Sequence, residues 1–113
     1  MLELREWLKE KKHKTSPWGE RLDDNGYAKS LFTTEEGVCF LCGVHGDVAR
    51  HELIGGIADR PTSKAVGLWI YLCPHCHGLI HRDQREMHKV AEEMFIAHYS
   101  ANEFWELYHK NYL

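Results

Sequence analysis

Leu72-Cys73-Pro74-His75-Cys76-His77-Gly78-Leu79-Ile80-His81 is the stretch on which the reading of this chain turns. A Cys-x-x-Cys pair runs straight into two histidines spaced i, i+4. Upstream stands a second pair, Cys39-Phe40-Leu41-Cys42. Each such turn aims two sulfurs at one point, and two turns close the tetrahedral shell that a structural zinc ion prefers. The expectation is a structural Zn2+ held by Cys39, Cys42, Cys73 and Cys76. Residues 43–72 suffice for a strand, a loop and a return strand, so the ion would pin both ends of a hairpin without a large core. Two other readings stay open: four reduced core cysteines, or one mixed site in which His75, His77 or His81 replaces a cysteine.

If sulfur fills that shell, His77 and His81 are left over. On a helix, an i, i+4 pair presents both imidazoles on one face, where they can share one further cation. His51, in Arg50-His51-Glu52 between the two cysteine pairs, adds a third imidazole. A neutral imidazole near pH 7 is suited to take a proton from water.

The chain has 113 residues and suits a single domain, 1–113, with a modest core that gains from a staple. The start, Met1 to Lys14, is charged rather than apolar, and no apolar run approaches a membrane span. A cytoplasmic protein without membrane contact is expected, with reduced cysteines that read as metal ligands rather than disulfides. The formal net charge is −3, unevenly spread. Between Cys39 and Arg85 five basic residues outnumber four acidic ones, whereas between Glu86 and Leu113 five acids face two lysines. The acidity lies mainly outside the cysteine and histidine region, which leaves room there for a phosphate-bearing partner.

Local patterns predict the elements. Leu4, Trp7 and Leu8 share one face of a helix from about Leu2 to Lys12, stopped by Ser16-Pro17-Trp18-Gly19. The basic run Lys9, Lys11, Lys12, His13 and Lys14 is read as its solvated end. Asp23-Asp24-Asn25-Gly26 signals a turn, and Gly43 closes a tight knuckle. Val48 to Ile54 and Leu68 to Leu72 read as strands, separated by a polar loop from Ile57 to Gly67. Pro74 suits the first turn of a helix, expected over Cys76 to His81. Asp83 with Glu86 resembles a capping box opening a helix that carries Met87, Val90, Ala91, Met94, Phe95 and His98. Ser100 with Glu103 is a cleaner box opening a last helix. Trp69, Tyr71, Phe95, Phe104, Trp105 and Tyr108 are expected in the core or an interface.

The wording of Arg50-His51-Glu52-Leu53-Ile54-Gly55-Gly56 and of the stretch from Leu72 to His81 resembles the HNH endonuclease family, and the framing Cys39-x-x-Cys42 its zinc-knuckle members. The wording of the motifs, together with the ending from Phe104 to Leu113, resembles small HNH proteins of bacteriophages and prophages; the motif match covers about Cys39 to His81. The resemblance implies a zinc-stapled ββα-metal finger over 38–83; with the N-terminal helix and irregular segment (1–37) and the two C-terminal helices (84–113) read from the local patterns, an α+β fold is expected. It implies hydrolysis of DNA phosphodiester bonds to 5′-phosphate and 3′-hydroxyl ends in a bacterial host cell. His51 would be the general base, and His77 and His81 would hold a catalytic divalent cation (Mg2+, Mn2+ or Ni2+). Arg50, Arg60, Arg82 and Arg85 are candidate phosphate contacts.

The chain departs from the family at two places. Where many members carry an Asp or His ligand just before the base, Arg50 stands here and cannot ligate; Glu52 or Asp59 are the candidates for a further ligand. Where the family's Asn is sought, Leu68 stands. Two alternatives follow: a zinc-stapled DNA-binding or recombination accessory module whose nuclease site has decayed, and an interaction module of a phage packaging complex docking through its C-terminal helices. A homodimer is a further expectation, because a nuclease this small often needs a second copy to reach both strands.

Overall fold

The computed structural model of the chain describes residues 4–10 and 12–113. Leu2 and Lys11, named above in the first helix and the basic run, lie outside them. Among these described residues, five helices and two strands run in the order α1 (Leu4–Lys9), β1 (Ala49–Glu52), α2 (Arg60–Val66), β2 (Trp69–Leu72), α3 (Pro74–Arg82), α4 (Arg85–His98) and α5 (Ala101–Tyr108). Among the described residues, no helix is long and apolar enough to cross a membrane. The fold is α+β, with one two-stranded antiparallel sheet.

The hairpin sets the geometry of everything else. Ala49 pairs with Leu72, Arg50 with Tyr71, His51 with Ile70 and Glu52 with Trp69. Side chains alternate across a strand, so Arg50 and Glu52 share one face with Tyr71 and Trp69, while His51 points the other way. The strands are shorter than the segments that predict them, although the Leu53 N–H still donates to Leu68 O (2.9 Å) in the same register.

Between the strands the structure corrects the expected loop from Ile57 to Gly67. Residues Arg60–Val66 form α2, with Pro61 in its first turn. Its polar wording hides an inward face: Thr62, Ser63, Ala65 and Val66 are buried. The Ser63 hydroxyl donates to Ile54 O (2.6 Å) and lies 2.9 Å from the Tyr108 hydroxyl. Gly67 ends α2 at φ 85°, and a Cβ there would stand 2.5 Å from Lys29 O. Only glycine meets both conditions.

Helix α1 is also shorter than predicted. It ends at Lys9 because the chain doubles back: the His13 ring stacks on Trp7 at 3.6 Å, and the Trp7 indole donates to Thr15 O (2.8 Å). Lys12 and Lys14 are therefore beyond the helix, not at its solvated end. The Asp83–Glu86 capping box does not form. Asp83 caps the end of α3 through its own N–H, and its carboxylate is held by Arg85 instead. Ser100 and Glu103 do cap α5, though with only half of the expected box: Ser100 Oγ accepts from Glu103 N (3.1 Å), and it is this hydroxyl, not the Ser100 amide, that donates to Glu103 Oε1 (2.9 Å).

Trp7, Ile54, Leu68, Ile70, Phe95 and Phe104 are the large side chains at the centre of the core. Trp69 and Tyr108 are buried as expected, whereas Tyr71 is half-buried and Trp105 is exposed.

Candidate functional site

Among the described residues, the chain brings its metal-ligating residue types together at two separate points: the four cysteines at one, and His51, His77 and His81 at the other. Within each group the ligand atoms lie within 4.8 Å of one another.

The cysteine group is built by local turns. The Cys39 amide donates to Val44 O (2.9 Å), the Gly43 amide to Cys39 O (2.9 Å), and Gly43 turns the chain at φ 77°. The Phe40 amide donates to Tyr71 O (2.8 Å) and ties this knuckle to β2. The second pair opens α3, whose N-cap Cys73 accepts from Cys76 N through sulfur (3.4 Å). Cys42 Sγ and Cys73 Sγ are 3.7 Å apart. That is far from a disulfide bond, whereas sulfurs around a tetrahedral zinc at about 2.3 Å sit about 3.8 Å from one another.

The electrostatics fit a cation. Burial pushes the Cys39 thiol up, but backbone N–H groups of Cys42, Cys73 and Leu41 overcome it and hold it at about 6. Burial and the neighbouring sulfurs push Cys76 up to about 12. Four thiolates this close repel one another unless a divalent ion neutralises them. Cys39, Cys42, Cys73 and Cys76 could thus hold a structural metal ion, and their all-sulfur donor set suits zinc. No histidine is needed to complete that shell.

The imidazole group joins β1 to α3. His77 and His81 share a face of α3, with Nε2 atoms 2.9 Å apart. His51 reaches them from β1, its ring centroid 4.7 Å from that of His77 and 5.6 Å from that of His81. Among the described residues, no group hydrogen-bonds the His51 ring, so packing against the other two rings sets its orientation. Burial first, then charge on His77 and His81, hold His51 down at about 4, against the raising effect of Glu52.

These three rings open into a cleft of about 460 Å³. Arg50, Glu52 and Arg60 also line it, together with Gln84, His88, Lys110 and Tyr112. The last four carry no local motif, and charge pattern alone could not have placed them. The Gln84 amide lies 3.3 Å from His81 Nδ1, and His88 packs on Tyr112 with ring centroids 4.5 Å apart. The tail is anchored by the Tyr112 amide on Glu92 Oε1 (2.6 Å) and by Lys110 on Asp59.

Neither proposed carboxylate joins the imidazoles. Glu52 is buried on the other face of β1, where the Tyr27 hydroxyl and Arg60 Nε each lie 3.0 Å from its oxygens. Asp59 is engaged by Lys110. Of the four arginines, Arg50 and Arg60 line the cleft, while Arg82 is exposed outside it and Arg85 is paired with Asp83. Arg50 has a structural setting of its own. Its guanidinium lies 4.3 Å from the Tyr27 ring centre and 5.0 Å from that of Trp69, and pairs with Asp23 at 2.7 Å. Leu68 is fully buried and cannot orient His51.

The depressed His51 has a consequence for stability. The folded chain keeps this ring neutral to about pH 4, whereas the unfolded chain protonates it near 6.5. Between those values the unfolded state binds the extra proton, so stability is present above about pH 6.5 and is lost as pH falls toward 4. Discounted for partial exposure, the loss is about 1–2 kcal/mol. Urea titrations of the parent and a His51→Gln variant at pH 7 and pH 5 should show the parent losing more. Equal losses would mean the ring is not held neutral.

No protein-family model matches the chain, nor does any curated protein or solved structure.

Proposed function

We propose that this chain is a metal-dependent HNH endonuclease that hydrolyses DNA phosphodiester bonds, its hairpin and α3 forming a ββα-metal finger stapled by zinc on Cys39, Cys42, Cys73 and Cys76. The observation that carries the reading is the meeting of His51 with His77 and His81 in an open cleft, apart from a sulfur group that needs none of them.

His77 and His81 would hold the divalent cation. Their Nε2 separation of 2.9 Å suits a shared proton and equally suits adjacent positions on an octahedral ion at about 2.1 Å. A cation there supplies Lewis acidity at the scissile phosphate and stabilises the departing sugar oxygen. His51 is neutral across the physiological range and can accept a proton from water. Its low basicity is a handicap as it stands, but an arriving phosphodiester brings negative charge that favours the imidazolium. Arg60 is anchored on Glu52 through Nε, which leaves its terminal nitrogens for a non-bridging phosphate oxygen. Arg50, caged by aromatic rings, positions β1 rather than ligating.

A second reading has its own support. Among the described residues, no carboxylate joins the three imidazoles, and Arg50 stands where the family resemblance would place a ligand. A cation with two protein ligands is weakly held unless substrate completes its shell, as in a DNA-binding module that no longer cuts.

One assay separates the two. Supercoiled plasmid is incubated with zinc-loaded protein and Mg2+, Mn2+ or Ni2+, beside a His51→Ala variant. Nicking by the parent, reduced about a hundredfold or more in the variant, is the expected result. Salt-sensitive retention of the plasmid without nicking favours the second reading. Neither cutting nor retention removes both and leaves a protein-docking role.

A further inference from the structure

Beside the imidazole cleft runs a second, larger groove of about 810 Å³. Its walls carry Lys12, Lys14, Arg21, Arg60 and Lys64, five cations, against two carboxylates, Asp23 and Asp24. Asp23 is already neutralised by Arg50 at 2.7 Å. Among the described residues, Lys12, Lys14 and Arg21 are exposed and have no carboxylate partner. Lys64 rests its ammonium 4.9 Å from the Tyr27 ring centre, which keeps the charge on the groove wall. In a chain whose formal net charge is −3, this is a concentrated positive surface.

The groove adjoins the cleft at Arg60. Arg60 lines both, and the exposed turn of Gly55, Gly56 and Ile57 lies along the boundary, its glycines on the cleft side and Ile57 on the groove side. A polyanion that enters the cleft with one phosphate can lay its neighbours along the groove past Arg60, the cation common to both walls. The cations come from three separate segments: the return after α1, the turn before Asp23, and α2. Folding, not a basic run in sequence, assembles them.

We infer that this groove binds the sugar–phosphate backbone of a nucleic-acid strand on one side of the bond presented to the imidazole cleft, with Lys12, Lys14 and Arg21 as phosphate contacts and Arg60 at the junction. The inference rests on the nuclease reading for the direction of the strand, but its contacts are independent of catalysis. Backbone contacts of this kind give affinity without sequence preference and leave a signature in salt dependence.

The test uses the zinc-loaded full chain and a Lys12→Gln/Lys14→Gln/Arg21→Gln variant, whose changed side chains are all solvent-exposed. Thermal melting verifies that the variant folds. Fluorescence anisotropy with labelled 24-mer duplex DNA, single-stranded DNA and RNA is followed over a range of salt. The slope of log affinity against log salt should fall by about 2 to 3 for duplex in the variant, with at least a tenfold loss of affinity at low salt. A control change at Lys89, away from both cavities, should leave the slope alone. An unchanged slope in the triple variant, or no binding of any nucleic acid by the parent, overturns the groove assignment. Hydrolysis of the small diester bis(p-nitrophenyl) phosphate with Mn2+ is measured alongside, since that ester cannot reach the groove. Equal hydrolysis by parent and variant with a lost slope supports the groove. Hydrolysis with an unchanged slope sinks the groove and spares the nuclease reading. A lost slope without hydrolysis by the parent does the reverse.

Discussion

A Cys39→Ser chain should not fold. Purified in the presence of zinc, it should carry well under one equivalent of metal, lose its near-ultraviolet circular dichroism and melt without a cooperative transition, while the parent holds about one zinc per chain. The size of the effect follows from what the sulfurs join. Both strands have four residues, and a two-stranded hairpin of that length has little stability alone. The knuckle at Cys39–Cys42 hangs on β2 by the Phe40–Tyr71 hydrogen bond, and Cys73 follows β2 directly. Take away one thiolate and three buried or crowded sulfurs remain with no ion to neutralise them. Structural zinc contributes roughly 10–16 kcal/mol in small zinc domains, about as much as a whole domain's stability of roughly 5–15 kcal/mol. Cys39 should be the most sensitive of the four to replacement, since it is buried at 1% exposure and backbone N–H groups of three residues stabilise its thiolate. Retention of cooperative melting by the serine variant would mean that the core, not the metal, holds the hairpin.

The parts of this molecule that could be read from sequence are those written in short-range spacing. Two Cys-x-x-Cys turns and an i, i+4 histidine pair fix their own geometry over a few bonds, and the apolar run before Cys73 announces β2. The Ser100–Glu103 cap is likewise local. What escaped reading depends on partners far along the chain. Helix α2 looks like a loop because Pro61, Thr62, Ser63 and Lys64 are poor local evidence for a helix; its reason to exist is the burial of Ser63 against Ile54 O and Tyr108. Glu52 looks like a spare ligand beside His51, yet strand alternation turns it to the opposite face, where Tyr27 and Arg60 claim it. The basic residues after α1 look like a solvated end until the stacking of His13 on Trp7 folds them back beside α2. Lys110 and Tyr112 enter the cleft because the tail is pinned to Glu92 and Asp59, and His88 reaches it from α4 against the Tyr112 ring.

His81→Ala should separate folding from chemistry. His81 is exposed, and the buried residues of α3 are Cys76 and Ile80, so no core contact is lost. Alanine is also the better helix former. Zinc content should stay at about one per chain, and stability should change by no more than about 0.5 kcal/mol. Plasmid nicking should nonetheless fall by at least about a hundredfold, the effect of losing roughly 3 kcal/mol of the several that a positioned cation supplies. Calorimetric titration with Ni2+ or Mn2+ should show the second, weaker cation site of the parent disappearing. Two outcomes contradict the proposal in different ways. If the variant loses zinc and unfolds, His81 belongs to the scaffold ion and the sulfur group is not self-sufficient. If it keeps cutting at the parental rate, the cation does not sit on α3, and the meeting of three imidazoles in the cleft has another purpose.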